Sequence, residues 1–409
     1  MANTLDIKTD NRHRTQVHRA YFIPWDGEGI TFEGETQQSY VLFGTPWKRI
    51  VRCEPGGLHT TECLDLMESV ALLHPTGIHV VYAGGYDFQM ILQDADVNAL
   101  NRLNSGKRAY VGDYNIEWIP GKMLRWRYEP WDPTIKKHVP RATRPWRVMY
   151  DVFSFFQTSF VNACETWGIG TPEEHEEMRR MKSLRSDFTT EMFISEVVPY
   201  WKKELSFLQQ LMEAFQTELK NVDIRIINWF GPGAIASAIY KKSKIKKHMQ
   251  QGTTEFVNDA AQCAYMGGRF EQLKVGHVDR AWFYDINSAY PSFIRQLPSL
   301  KGATWHHHEN PKHYYAPVRR FSLYRVEFKS WPEARRKREG HRPFPLWARN
   351  KRGGVQFGPG LGNWVWEPEY ALLLKYFPDD VIVHDWLEFI PGDPTLPFGW
   401  VDDLYLQRL

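Results

Sequence analysis

The sequence predicts a mixed α/β fold, and three observations lead there. Ala20-Tyr-Phe-Ile-Pro-Trp-Asp26 reads as an apolar strand ending on an acid; Gly27-Glu28-Gly29 follows, then a second strand around Ser39–Phe43. Leu64 to Leu73 places apolar residues at helical spacing and leads into a short buried strand, Ile78–Tyr82, closed by Gly84-Gly85. The stretch Trp146 to Phe153 then returns as a strand. Between these, the charged, Trp-rich stretch Gly106 to Arg144 reads as hairpins, and Thr171 to Asp187 as a polar insert. A helix begins near Pro199, a favoured first-turn residue, and carries Leu205, Leu208, Leu211, Met212 and Phe215 on one side. After Gly231-Pro-Gly233, the basic run Lys241 to Lys247 reads as a junction between domains, with a duplex backbone contact and a solvated face both open to it. Farther on, Ala281-Trp-Phe-Tyr284 is expected to be a strand running into Asp285, and from Trp305 the periodicity weakens. There is no internal repeat.

Composition bounds the function. The chain has 409 residues, 43% hydrophobic and 24% charged, enough apolar content to bury cores in two or three domains. Lys plus Arg is 51 against 48 for Asp plus Glu, a formal net charge of +3, which excludes a strongly basic coating protein but not an enzyme that grips nucleic acid locally. The four cysteines contain no C-x-x-C pair and read as reduced, mostly buried thiols of a cytoplasmic protein. No apolar run reaches a membrane span, and the polar start of the sequence carries no secretory pattern, so no membrane partner is expected. The 17 Trp, 24 Phe and 19 Tyr suit a core but also stacking platforms for single-stranded nucleic acid.

The chemistry lies in the acids. Asp26 and Glu28 flank one residue, so strand alternation turns both side chains to one face, where oxygen ligands can hold divalent ions. Asp87 follows a buried strand and a glycine pair, where an acid projects over a sheet edge. Tyr200 and Glu204 are four apart and share one helix face, and a buried Glu204 would need a partner or a metal. Four acids from three elements, with a tyrosine, form a pattern suited to two-metal phosphodiester hydrolysis.

With these residues in view, WDGEG, YAGGYDFQM and YWKKE resemble the three exonuclease motifs of family B DNA polymerases, in order and at familiar spacing. The resemblance implies an RNase H-like 3′–5′ exonuclease domain in which Asp26, Glu28, Asp87 and Glu204 hold two Mg²⁺ or Mn²⁺ ions and Tyr200 orients the attacking water. It implies that Tyr86 contacts DNA and that Lys182, in Met-Lys-Ser-Leu-Arg, lies near the scissile phosphate, as in protein-primed members; a solvated loop lysine is the alternative. Glu204 stands where the family usually has Asp, and Ala83 where it usually has Asn.

Asp285-Ile-Asn-Ser-Ala-Tyr-Pro-Ser292 reads as a strand ending in an acid, a tight turn and a helix start at Pro291, a setting for a triphosphate and its magnesium. It is similar to polymerase motif A, with Ala289 in place of Leu. That likeness implies an incomplete α+β polymerase palm with Asp285 as catalytic metal ligand, Ser288 at the nucleotide and Tyr290 beneath the incoming sugar. Tyr265-Met-Gly-Gly268 resembles the element that couples the two activities through template contacts, which implies that Tyr265, Gly267 and Gly268 meet DNA.

The later family motifs, K-x-x-x-N-S-x-Y-G and D-T-D, do not occur after Pro291. Trp400-Val-Asp-Asp-Leu-Tyr405 only mimics a reverse-transcriptase hairpin. The expected layout is a polar leader at 1–19, the exonuclease domain at 20–225, a junction at 226–275 and the partial palm at 276–409. The expected partners are primer-template DNA, a single-stranded 3′ end, deoxynucleoside triphosphates and a terminal protein primer; the missing motifs are expected either from a second polypeptide or, if the chain is a fragment, from its missing C-terminal part. Two alternatives stand beside this reading: a free-standing 3′–5′ exonuclease, and a DNA-binding replication subunit without catalysis. His306-His-His308 reads as a loop, since three consecutive residues cannot converge on one ion.

Overall fold

The structure is a computed structural model; it describes residues 21–249, 253–265, 275–286, 289–310, 315–329, 347–349, 355–357 and 362–402. Packing divides the chain into two units, Met1–Ile239 and Tyr240–Leu409. Each is a mixed α/β assembly.

In the first unit, β1 (Phe22–Pro24) and β2 (Asp26–Ile30) are separated by Trp25, where the chain passes from one sheet to another. The reading of Asp26 as the end of a strand is corrected here: it opens the second strand, and the Gly-Glu-Gly that follows is itself extended. Next come β3 (Ser39–Gly44), β4 (Arg49–Val51), α1 (Thr60–Leu73), β5 (Ile78–Val81) and α2 (Gly85–Ile91). They are followed by α3 (Val97–Asn104), β6 (Ala109–Val111), β7 (Tyr114–Ile119), β8 (Met123–Tyr128), a small ribbon of β9 (Trp131–Asp132) and β10 (Lys137–His138), and β11 (Arg147–Asp151). The main sheet runs β1-β5-β11-β8-β7-β6, parallel across its first three strands and antiparallel beyond; β2, β3 and β4 form a separate antiparallel sheet.

Helices cover both faces of the main sheet, and strand alternation sorts the residues between them. Phe22 and Val80 pack with α5 (Phe160–Thr166), which follows the short α4 (Phe153–Phe156), and with α6 (Pro172–Ser183) and the long helix described below; Ile23, Val81 and Met149 pack with α1 and α2. The stretch read as a polar insert is mostly this α6, corrected by a signal present in the sequence: Thr171 and Glu174 form a capping box, Pro172 opens the helix, and Met178 and Met181 are buried. After a 3₁₀ turn at Arg185–Asp187, α7 (Thr190–Met192) and a wide turn at Phe193–Val197 lead into α8 (Val198–Asn221), with Pro199 in its first turn. Leu205, Leu208, Leu211, Met212 and Phe215 are all buried along it, each contributing about 1.5–3 kcal/mol of hydrophobic stabilisation.

The second unit holds an antiparallel sheet in the order β12 (Thr304–Glu309), β17 (Val381–Ile390), β13 (Leu323–Phe328), β16 (Gly362–Trp366), and a ribbon of β14 (Trp347–Arg349) with β15 (Val355–Phe357). Helix Glu367–Tyr376 buries Tyr370 and Leu373 on Tyr324, Val326 and Phe328. Helix Glu255–Ala264 buries Val257 and Ala260 on the other face, with Leu323, Trp364 and Leu387. Two readings are corrected. His306–His308 is strand rather than loop, paired in β12 with Glu388, Leu387 and Trp386. Residues 281–286 are not a strand: Trp282, Phe283 and Tyr284 are 73, 96 and 91% exposed. A strand needs a neighbour for its ladder hydrogen bonds, and among the described residues none pairs with this segment. Among the described residues, no helix is long and apolar enough to cross a membrane.

Candidate active site

Strand β2 begins the site. Asp26 and Glu28 lie two apart on it, and a register irregularity against β3 follows Glu28. The glycines on either side of Glu28 are sterically required: a Cβ on Gly27 would lie 1.8 Å from the Tyr40 hydroxyl, and one on Gly29 would lie 2.5 Å from that of Tyr86. Helix α8 locks onto this strand through Trp201, whose indole Nε1 donates to the Asp26 carbonyl at 3.0 Å. One turn farther along α8, Glu204 reaches the same place, and one carboxylate oxygen from each of Asp26, Glu28 and Glu204 lies within 4.8 Å of the other two. Oδ2 of Asp26 is buried, with no hydrogen-bond partner among the described residues.

Asp87 comes from the turn after β5. Ala83 adopts a left-handed conformation (φ 55°) there, and the backbone N–H groups of Ala83 and Gly84 donate to the buried Asp151 carboxylate at 3.0 and 3.1 Å. Asp151 therefore fixes the turn that delivers Asp87 at the first turn of α2. Tyr40 donates its hydroxyl hydrogen bond to Asp87 Oδ1 at 2.9 Å.

Asp26, Tyr86, Asp87, Lys182, Arg185 and Glu204 line one cleft of about 260 Å³. Tyr200, one turn before Glu204, is buried beside it. The nearest cation is one that sequence reasoning passed over: Arg185 Nη2 lies 3.2 Å from both Glu28 Oε1 and Glu204 Oε2, and Lys182 Nζ lies 3.5 Å from Glu204 Oε1.

Burial dominates the electrostatics. It pushes Asp26 well above the usual carboxylate range, reinforced by Glu204 and Glu28. Glu28 rises to about 8 through burial, against the pull of Arg185, and Asp87 to about 6 through burial, against the Tyr40 hydrogen bond. Burial and mutual repulsion therefore make the acids hold their protons until a cation offsets their charge, and their donors are hard oxygens: a set that fits Mg²⁺ or Mn²⁺.

The structure brings together Asp26, Glu28, Tyr86, Asp87, Lys182, Tyr200 and Glu204. Asp285, Tyr290 and Tyr265 lie in the second unit and are exposed, Tyr290 in the short helix Ala289–Ile294. Gly267, Gly268 and Ser288 fall outside the described residues.

A family model described as DNA polymerase type B, organellar and viral, matches residues 173–344. The resemblance is to type B DNA polymerases. Among solved structures, an orthorhombic crystal form of Phi29 DNA polymerase matches with a TM-score of 0.50 and 13% identity over 94% of this chain. Phi29 DNA polymerase complexed with single-stranded DNA gives 0.49, 13% and 94%, and its ternary complex with primer-template DNA and incoming nucleotides gives 0.47, 14% and 94%. The chain spans 63–64% of those polymerase chains. No curated protein matches the sequence. The likeness to the orthorhombic form concerns the fold, a mixed α/β arrangement that this chain shares with it.

Proposed function

We propose that the first unit is a divalent-ion-dependent 3′–5′ exonuclease acting on single-stranded DNA ends, the proofreading part of a phage- or virus-like DNA polymerase. The observation that carries it is the convergence of Asp26, Glu28 and Glu204 to within 4.8 Å in a cleft that Asp87 also lines. Asp26, Glu28 and Glu204 would hold Mg²⁺ or Mn²⁺, with Asp87 completing a site for two ions. Ions held there lower the pKa of an attacking water and stabilise the leaving oxygen.

The chain's own groups do the rest. Tyr200 presents a buried hydroxyl beside Glu204, and burial keeps its proton on far above the ordinary range, so it serves as a donor that orients the water. Lys182, 29% exposed at the edge of the cleft, offers its charge to the scissile phosphate. Tyr86, 39% exposed, gives the terminal base an edge to rest against.

We place Asp285 and Tyr290, with Ser288, at a nucleotide site for polymerisation, and Tyr265, Gly267 and Gly268 at the template. Nucleotide transfer there needs a further acidic ligand, from another chain or from a further C-terminal part of the same protein, and a terminal protein is a candidate primer. The domain limits at 225 and 275 belong to this proposal. A second reading, a DNA-binding subunit without nuclease activity, draws on the Arg185 pairing that already neutralises part of the cluster.

The test is polarity. A 5′-labelled single strand should yield a descending ladder with Mg²⁺ or Mn²⁺, and a 3′-labelled strand should release labelled mononucleotide at once. Internal cuts, or mononucleotide from the 5′ end, would contradict the assignment; binding without cleavage would favour the second reading.

A further inference from the structure

Arg185 is a cation set inside the acidic cluster by its own anchoring. It follows α6 in the 3₁₀ turn Arg185–Asp187, and its carbonyl accepts from Gln38 Nε2 at 3.3 Å. The same Nε2 donates to the Gly29 carbonyl at 3.2 Å, while Gln38 Oε1 accepts from the Tyr86 hydroxyl at 2.6 Å. The turn is thus tied to β2 through its main chain, and through its side chain to Glu28 and Glu204 at once. These contacts join residues 157 and 19 positions apart.

A single Nη2 bridging two carboxylates, rather than a fork on one, places the guanidinium charge between them. With Asp26, Glu28 and Glu204 ionised, that charge lowers the formal total from three negative charges to two. A divalent ion approaching Glu28 and Glu204 meets a like charge at ion-pair distance, where repulsion is strong. The Arg185 side chain is 42% exposed, so it has a route out to solvent.

Resting on the nuclease reading above, we propose that Arg185 is an internal counter-cation that competes with divalent ions for Glu28 and Glu204. With Arg185 seated, the cluster takes one ion; a second binds when the guanidinium leaves. Arg185 is then a positioning residue that sets metal loading, through the carboxylates rather than by touching DNA.

The test is Mn²⁺ binding to the full chain, followed by the paramagnetic resonance of free Mn²⁺, in the wild type, Arg185→Gln, Arg185→Lys and Asp26→Ala. The weaker Mn²⁺ event should tighten about tenfold or more in Arg185→Gln and stay near wild type in Arg185→Lys, which keeps the charge. The metal-free Arg185→Gln chain should melt lower than wild type and regain the difference with Mn²⁺, because the acids have lost their counter-charge. Unchanged or weaker Mn²⁺ binding in a folded Arg185→Gln chain overturns the proposal; if Asp26→Ala still abolishes binding, the metal-site reading survives. Absence of Mn²⁺ binding in the wild type overturns both.

Discussion

In the first unit, acids from three elements reach one cleft because β2, α2 and α8 are all packed against buried cores: Trp201 ties α8 to Asp26, Asp151 holds the turn before Asp87, and Tyr40 donates a hydrogen bond to Asp87. In the second unit, Asp285 stands in an exposed segment beside Trp282, Phe283 and Tyr284, none of them buried. By sequence alone, the second motif is the more specific of the two. The difference teaches that motif specificity and a built site are separate properties: a carboxylate becomes a ligand when packing desolvates it beside others, and that packing belongs to the elements around the motif.

After the complete loss expected for Asp26→Ala, the largest effect should come from Asp87, the acid that Tyr40 and the turn held by Asp151 fix in place. Asp87→Ala is expected to lower the rate of 3′ shortening by on the order of 10²–10³-fold, read from single-turnover degradation of a labelled strand. A loss below tenfold would place Asp87 outside the chemistry and reduce the site to the three-acid set.

Stability separates the regions next. Leu211, fully buried on α8, should cost about 2–5 kcal/mol when cut to Ala, measured by urea unfolding. Asp151→Ala should cost about 2 kcal/mol, because the N–H groups of Ala83 and Gly84 lose their acceptor; it should also slow the nuclease by displacing Asp87. Full activity in Asp151→Ala would break the link between that turn and the site.

The metal-free cluster should also make stability depend on pH. Burial raises Glu28 from 4.5 to about 8, and between those values the native chain holds more protons than the unfolded chain, so stability falls as pH rises through the window. The Tm without divalent ions should be lower near pH 8 than near pH 5.5, and saturating Mg²⁺ should flatten the difference. An opposite slope, persisting with the ion, would remove the desolvated carboxylates from the account. The smallest effect belongs to the second unit: Phe283→Ala, at a site 96% exposed, should change stability by less than about 0.5 kcal/mol.

What was legible in the sequence follows from range. Asp26, Glu28, Tyr200 and Glu204 sit at short periodic spacings within one strand or one helix, and such spacing fixes a shared face before any tertiary contact exists. Arg185, Gln38 and Asp151 act across 19 to 157 residues, and no local pattern marks them. The histidines of β12 failed for a related reason: their strand is specified by pairing with β17, some eighty residues later, rather than by their own polarity. Trp282 to Tyr284 failed in the other direction, since aromatic content favours a strand that still needs a neighbour.

The central claim is that the acids of the first unit form a working hydrolytic site. Its most direct test is shortening of a 5′-labelled single strand by the full chain with Mg²⁺ or Mn²⁺, beside Asp26→Ala, with DNA binding measured in parallel. The account predicts metal-dependent loss from the 3′ end by the wild type, none by the variant, and equal DNA binding by both. Equal shortening by Asp26→Ala would contradict it.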